Sequence, residues 1–364
     1  MNFQIRAISI ATILIANLLS ASPAHADDIR DQQWHLRLLH VAEAQQISRG
    51  EGVLVAVTDT GVDPRTTELA TAVLPGTTTA GTDGGDGRID SDGHGTAMAA
   101  LIAARGKGGN NGALGIAPKA SILPVRVTLG GDMGNPPDLA KGIDWAVAHG
   151  AKTVSVSFSA SEDPTLKDAI ERALAADVVV VAGVGNAPKD KRVAYPARHP
   201  GVLAVGGVDR DGNHAAISTT GPEVMVSAPA VDILSIGPSQ TYRTASGTSD
   251  ATAIVAGAVA LVRARFPQLS GPEVVRRIVL TAQDRGAPGR DNEYGYGVID
   301  IVKALTAEIP SASPSASPSG SAAPDDERGS SSVAMVVGVG LAALVVVLIA
   351  VVQGVVRSRR RRYR

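Results

Sequence analysis

Four short stretches carry side chains whose types and settings could do chemistry. In GTSDATA, residues 247–253, Ser249 stands where a long alanine-rich apolar run begins. A small hydroxyl there suits an N-cap, which satisfies an orphan backbone donor. It also suits a nucleophile, because a helix N-terminus stabilises the negative charge that an attack on a carbonyl creates. His94 lies in DSDGHGTAMAA, between two glycines that leave the imidazole uncrowded, with a small-residue helical run after it. The remaining histidines are less suggestively placed: His25 near the N-terminus, His35 and His40 flanking an amphipathic segment, His149 ending a helical pattern, His199 and His214 in loops. Asp59 directly follows an apolar run in VTDTGVD and could orient another group, whereas Asp63, followed by Pro64, resembles a helix cap with proline in the first turn. Asn186 closes VVVVAGVGN. There an asparagine either tolerates unusual backbone angles in a turn or supplies an amide donor to a developing oxyanion.

The elements that must carry these side chains alternate in type. Short, continuous, β-branched runs at 53–58, 121–127, 152–158, 178–183, 202–208 and 224–228 have the pattern of strands covered on both faces. Helical patterns intervene at 94–104, 138–149 and 164–176, then in the run after Ser249 and in a segment opened by Ser270 and Glu273 as a capping box. This alternation predicts an α/β fold with a mostly parallel sheet flanked by helices. Ligands of such sheets sit beyond the carboxyl ends of the strands, where Asp59 and Asn186 both fall. No phosphate-cradling G-x-x-x-x-G-K-[ST] loop is present, which speaks against a nucleotide-binding α/β domain.

Asp59-Thr60-Gly61, His94-Gly95-Thr96, Asn186 after an apolar strand, and Gly247-Thr248-Ser249 together resemble the four signature blocks of the subtilisin-like serine proteases, in that family's order. The resemblance covers about residues 53–305. It implies the family's three-layer fold and serine endopeptidase activity on protein or peptide substrates without a cofactor. It assigns Asp59, His94 and Ser249 to catalysis and the Asn186 amide to the oxyanion hole. Ser157, Phe158 and Ser159, with Ala182 and Gly183, become walls for an extended peptide, and residues 294–305 resemble the family's closing segment. Two positions depart from the family pattern: Ala253 replaces a common proline, and Ala100 a common glycine. Asp250, beside Ser249, either approaches His94 and raises its basicity or faces solvent as a favourable acid in the first helical turn.

Composition bounds the rest. The chain of 364 residues is 44% hydrophobic but 3% aromatic, so its core must be built from Ala, Val, Leu and Ile. With no cysteine, disulfides and thiolate sites are excluded. The formal charge of -1 hides an acidic middle, because six arginines crowd the last eight residues. An acidic globule speaks against a nucleic-acid partner. Residues 1–26, with one arginine, an apolar stretch and Ala24-His25-Ala26, have the form of a cleaved secretory signal. Residues 333–356 carry no charge and suffice for a membrane-spanning helix. The basic segment 357–364 would hold its end cytoplasmic, leaving the domain 27–308 outside the cell on a Pro/Ser/Ala-rich linker, 309–332. A short N-terminal extension, an anchor and a basic tail are similar to the mycosins, membrane-anchored subtilases associated with type VII secretion. In that family the protease cleaves exported substrates and can also be a structural member of the secretion complex. The disulfides of the mycobacterial mycosins do not transfer to this cysteine-free chain. Finally, Asp83, Asp86, Asp90 and Asp92 form an acid-rich loop before His94. It is either a solvated loop or, less in keeping with its spacing, a calcium site.

Overall fold

The structure is a computed structural model that describes residues 28–310, apart from 82–83, 110, 132 and 238–240. The proposed leader, membrane span, basic tail and nearly all of the linker lie outside the described residues, as does Asp83. Among the described residues no helix is long and apolar enough to cross a membrane.

Three short helices open the described residues: α1 (Asp28–Gln32), α2 (Trp34–Leu38) and α3 (Val41–Ile47). Then come β1 (Leu54–Asp59), β2 (Thr77–Thr78), α4 (His94–Ala103), β3 (Ser121–Arg126), β4 (Met133–Gly134), α5 (Pro136–Ala148), β5 (Thr153–Val156), β6 (Ser159–Ala160), α6 (Pro164–Ala175) and β7 (Val179–Gly183). The remainder is β8 (Leu203–Val208), β9 (Val226–Pro229), β10 (Ile233–Ile236), β11 (Tyr242–Ala245), α7 (Thr248–Arg265), α8 (Gly271–Thr281) and α9 (Ile301–Thr306). Seven strands form one parallel sheet in the order β2-β3-β1-β5-β7-β8-β9. The expected strands and helices are thus present to within a few residues at their ends.

Strand parity divides the core in two. Val55, Val57, Val181 and Val205 pack with α4 and α7 on one face, while Ala56, Val156, Ala182 and Ala204 pack with α5 and α6 on the other. Side chains along a strand alternate between faces, so a single register step decides which layer a residue joins. The two helix layers differ accordingly. Helices α5 and α6 each keep an exposed side and start on side-chain caps, Asn135 for α5 and Asp163 for α6, each followed by proline. Helices α4 and α7 are buried almost all round, as their unpatterned apolar sequence requires. Small residues make this possible: a Cβ at Gly257 of α7 would lie 2.7 Å from Ile116 Cβ.

Three local features compare with the sequence in different ways. The capping box of Ser270 and Glu273 forms as expected. Asp63-Pro64 starts no helix, because residues 64–72 form turns and the Asp63 carboxylate closes on its near neighbour, accepting from Arg65 N at 2.9 Å. The antiparallel hairpin β10–β11 was not anticipated, since neither ILSI nor YRTA is a continuous β-branched run.

His35 and His40, equivalent in the sequence, separate completely: His40 is exposed and His35 is 0% exposed, with no hydrogen-bond partner on either ring nitrogen among the described residues. Burial pushes the His35 imidazole down from 6.5 to about 3. Between those values the unfolded chain takes up a proton that the folded chain refuses, so stability is full above pH 6.5 and falls as pH falls. The slope approaches about 1.4 kcal/mol per pH unit. Chemical denaturation at about pH 7.5 and about pH 5 should show His35→Phe losing about 2 kcal/mol less than the parent protein on acidification. Equal acid losses in the two would remove this role from His35.

Candidate active site

Register brings the site together. Thr58, Val156 and Ala182 pair across β1, β5 and β7, so Asp59, Ser157 and Gly183 follow one step later at the same sheet edge. By parity that step turns them toward the α4 and α7 layer. There lies a cleft of about 480 Å³, whose lining includes Asp59, His94, Ser157, Gly183, Asn186 and Ser249. Phe158 and Ser159 line it as well. Ala182 does not: it is 1% exposed and packs in the α5–α6 core, because the alternation that presents Gly183 turns its neighbour away.

Asp59 is 1% exposed, and its Oδ1 accepts the Thr60 N–H at 2.8 Å and meets His94 Nδ1 at 2.8 Å. The glycines beside His94 have separate reasons. Gly93, the N-cap of α4, adopts φ 94°, which favours glycine. Gly95 sits so close to β1 that a Cβ there would come within 2.1 Å of Gly61 O and 3.0 Å of Asp59 Cβ. Any side chain at 95 would push the imidazole off its acid.

The acid-rich loop is partly a fastening rather than a solvated approach. Asp90, 5% exposed, accepts from Thr60 Oγ1 at 2.9 Å, Gly93 N at 2.8 Å, Thr96 N at 2.9 Å and Thr96 Oγ1 at 2.6 Å. Asp92 accepts the His94 N–H, and Asp86 holds Arg88. The three described carboxylates, Asp86, Asp90 and Asp92, are thus each engaged by neighbours of their own. Among the described residues no group of three or more His or acidic side chains is arranged to hold a metal ion.

Ser249 is the second residue of α7, whose N-cap is Gly247. The serine therefore does not cap the helix as its position in the sequence suggested. Thr248 anchors the start of the helix instead, its N–H and hydroxyl donating to Asn186 Oδ1 at 3.0 and 3.2 Å. Fixing that oxygen leaves Asn186 Nδ2 as the donor facing the cleft. Asn186 is held from behind by Asp190, whose Oδ2 accepts the Asn186 N–H at 2.8 Å. A Cβ placed on Gly247 would lie 3.0 Å from Ser249 Oγ, 3.7 Å from Asn186 Nδ2 and 3.8 Å from Asp250 Oδ2. Side-chain atoms of three cleft residues thus surround this point, and a Cβ there would crowd Ser249 Oγ. Ser246, by contrast, accepts the Asp232 N–H at 2.9 Å and belongs to the hairpin.

Sequence reading missed Arg243, Asp190 and Asp92 as residues of this cleft. Arg243 arrives on the unanticipated β11, and nothing local marks either acid. The cleft's charges bear on His94, whose side chain is 25% exposed. Burial would lower its pKa, but the charge and hydrogen bond of Asp59, with the charge of Asp250, outweigh it and raise the imidazole to about 9, Arg243 opposing.

A parallel sheet with two buried helices bringing a histidine onto an acid and a serine into the same cleft defines a class of hydrolase. The chain belongs to the subtilase family, whose model matches residues 50–297, and it is a subtilisin-like serine endopeptidase. It is 35% identical over 260 residues to Subtilisin DY of Bacillus licheniformis, covering 70% of this chain and 92% of that protein. Subtilisin Savinase of Lederbergia lenta is also 35% identical, over 261 residues, 70% of this chain and 91% of its own. Among solved structures, the chain is similar to the mycosins. MycP1 with its N-terminal propeptide removed superposes with a TM-score of 0.69 at 32% identity, covering 76% of this chain and 98% of that one. MycP3 from the type VII (ESX-3) secretion system gives 0.65 at 30% identity, covering 80% and 91%.

Proposed function

We propose that this protein is a membrane-anchored endopeptidase that cleaves exported proteins by acyl-enzyme chemistry, with Ser249 as nucleophile, His94 as base and Asp59 as its orienting acid, and that it works in a type VII secretion context. The observation that carries the mechanism is the 2.8 Å contact between Asp59 Oδ1 and His94 Nδ1, which leaves Nε2 to receive the proton of a serine on the same cleft. Ser249 Oγ attacks the scissile carbonyl as its proton passes to Nε2. The resulting imidazolium is stabilised by Asp59 and then protonates the leaving amine. Water repeats the sequence to release the acyl group. The tetrahedral oxyanion is held by Asn186 Nδ2 and the Ser249 N–H at the positive end of α7.

The secretion context draws on MycP1, described as an essential component of the type VII (ESX-1) secretion system. Export and anchoring draw on residues 1–26 and 333–364, which frame the peptidase domain 27–308 and linker 309–332 in an extracellular, single-pass arrangement. That same description of MycP1 supports a second reading, in which the domain is a structural subunit of the secretion complex and proteolysis is dispensable.

A fluorophosphonate probe, followed by peptide mapping, should label Ser249 in the folded protein. Absence of label, with the cleft shown open by substrate-analogue binding, would refute the acyl-enzyme mechanism. Asn186→Ala should lower kcat on a peptide substrate by about 100- to 1,000-fold with little change in KM, a range taken over from the equivalent donor of subtilisin, a relative. An unchanged kcat would take Asn186 out of the oxyanion hole.

A further inference from the structure

Arg243 reaches the cleft on β11, and the chemistry above gives it no task. The residue is half-buried and its stem is braced by the hairpin, where a Cβ at Gly237 would lie 3.8 Å from Arg243 Cδ. Its guanidinium makes no hydrogen bond and no ion pair among the described residues. The acids that share the cleft are placed otherwise. Asp59 and Asp92 hold His94, and Asp190 holds the Asn186 N–H. Asp250 is 2% exposed and forms no ion pair with Arg243. Lys189, the other basic side chain of the lining besides His94, has a partner of its own. A guanidinium left open in a cleft, with its donors in a planar fork, is matched by a carboxylate brought from outside.

The hairpin decides which part of a substrate that cation meets. Arg243 pairs with Ser235 across β10 and β11, and directly opposed residues share one face of the ribbon. Ser235 Oγ donates to Ala97 O at 2.7 Å, so this face is turned onto the start of α4, the helix that begins with His94. Tyr242, one step back, donates to Glu68 Oε1 at 2.7 Å and fastens the strand from elsewhere. Arg243 therefore enters the cleft beside the His94 helix, whereas Ser157, Gly183 and Asn186 come from the ends of β5 and β7. In acyl transfer His94 hands its proton to the leaving amine, so the segment that departs with that amine runs past His94 and its neighbours.

Resting on the peptidase reading, we infer that Arg243 is a specificity-determining residue that receives an acidic side chain, Asp or Glu, at the first or second position after the scissile bond. Partial burial strengthens such a pair relative to one in open solvent. Two parallel N–H···O bonds from the fork add direction to the charge attraction. A carboxylate in that position is expected to be preferred about tenfold over the amide of the same shape.

The test digests a mixed synthetic peptide library with the full chain and reads the cut sites by mass spectrometry. Asp and Glu should exceed Asn and Gln about tenfold at the first or second position after the cut. Arg243→Gln should abolish that excess, and Arg243→Glu should replace it by an excess of Lys and Arg, with the positions before the cut unchanged. A merely structural arginine would lower cutting of all sequences without exchanging one charge preference for the other. A parent profile without the acidic excess, or an excess that Arg243→Gln leaves in place, would overturn the inference. Should neither variant fold, salt supplies the measurement on the parent protein. Its kcat/KM for a peptide with Glu after the cut should fall between about 0.05 and 0.5 M salt relative to the matched Gln peptide. Equal responses of the two peptides would also overturn the inference. A protein that cuts without charge preference removes this inference alone, whereas one that cuts nothing and takes no fluorophosphonate removes the peptidase reading beneath it.

Discussion

Ser249→Ala is expected to lower kcat by about 10⁶-fold on any cleaved peptide, a magnitude carried over from the nucleophile of subtilisin itself. The structure indicates why the loss should be chemical and not structural. Gly247, not Ser249, caps α7, and it is the Ser249 backbone carbonyl, which alanine retains, that accepts from Ser157 at 3.4 Å. Alanine is also the best helix former. Circular dichroism and the melting temperature should therefore match those of the parent protein while turnover disappears. Turnover within about tenfold of the parent would exclude Ser249 as nucleophile, since no aligned backbone donor can replace a missing oxygen. The same variant separates the two functional readings. Secretion that continues without processing would assign the essential role to the scaffold, and secretion that stops would assign it to proteolysis.

Asp59→Asn should cost about 10⁴-fold in kcat, again by analogy with established triads. Asp59 Oδ1 receives both the Thr60 N–H and the Nδ1 side of His94. An amide of the same shape can keep the ring near its place. It cannot supply the charge that stabilises the imidazolium, and its NH₂ group can favour the wrong tautomer. Because Asp59 is 1% exposed and its Oδ2 has no partner among the described residues, a neutral amide should be tolerated by the fold. The pH profile supplies a second signature: His94 should titrate lower, because the Asp59 charge and hydrogen bond are the largest influences raising it. An Asp59→Asn protein with parental kcat and an unmoved His94 titration would leave His94 without its orienting acid.

Much of this architecture is legible in local sequence because its causes are local. Runs such as VVVVAG are too short and too β-branched for helices, and a parallel sheet buried on both faces accepts them without alternation. Helix α6 announces itself by Asp163-Pro164, and α8 by Ser270 with Glu273. Asp59, His94, Asn186 and Ser249 stood out as candidates because a glycine stands beside or near each of them and apolar runs lead into two, and their likeness, in order, to the subtilase signature blocks is what implied their roles. Where local reading went astray, a distant segment had a share in the outcome. Asp63-Pro64 has the form of a cap, but the Asp63 N–H is tied to Thr96 Oγ1 of α4 at 2.9 Å while its carboxylate turns to Arg65. Ser249 has the type of a cap, but the chain enters α7 through Gly247, with Thr248 tied to Asn186 some sixty positions earlier.

The amino-acid sequence alone determined the order of strands and helices and the lack of thiols, since each depends on near neighbours or on composition, while the roles proposed for Asp59, His94, Asn186 and Ser249 came from their likeness to the family's signature blocks. Only the tertiary structure decided that Gly183 faces the cleft while Ala182 faces the core, that Asp90 is a buried fastening, and that Asp250 is shielded from water. Burial and electrostatic coupling belong to whatever packs against a residue. In a crossed-over parallel sheet, that partner comes from far along the chain.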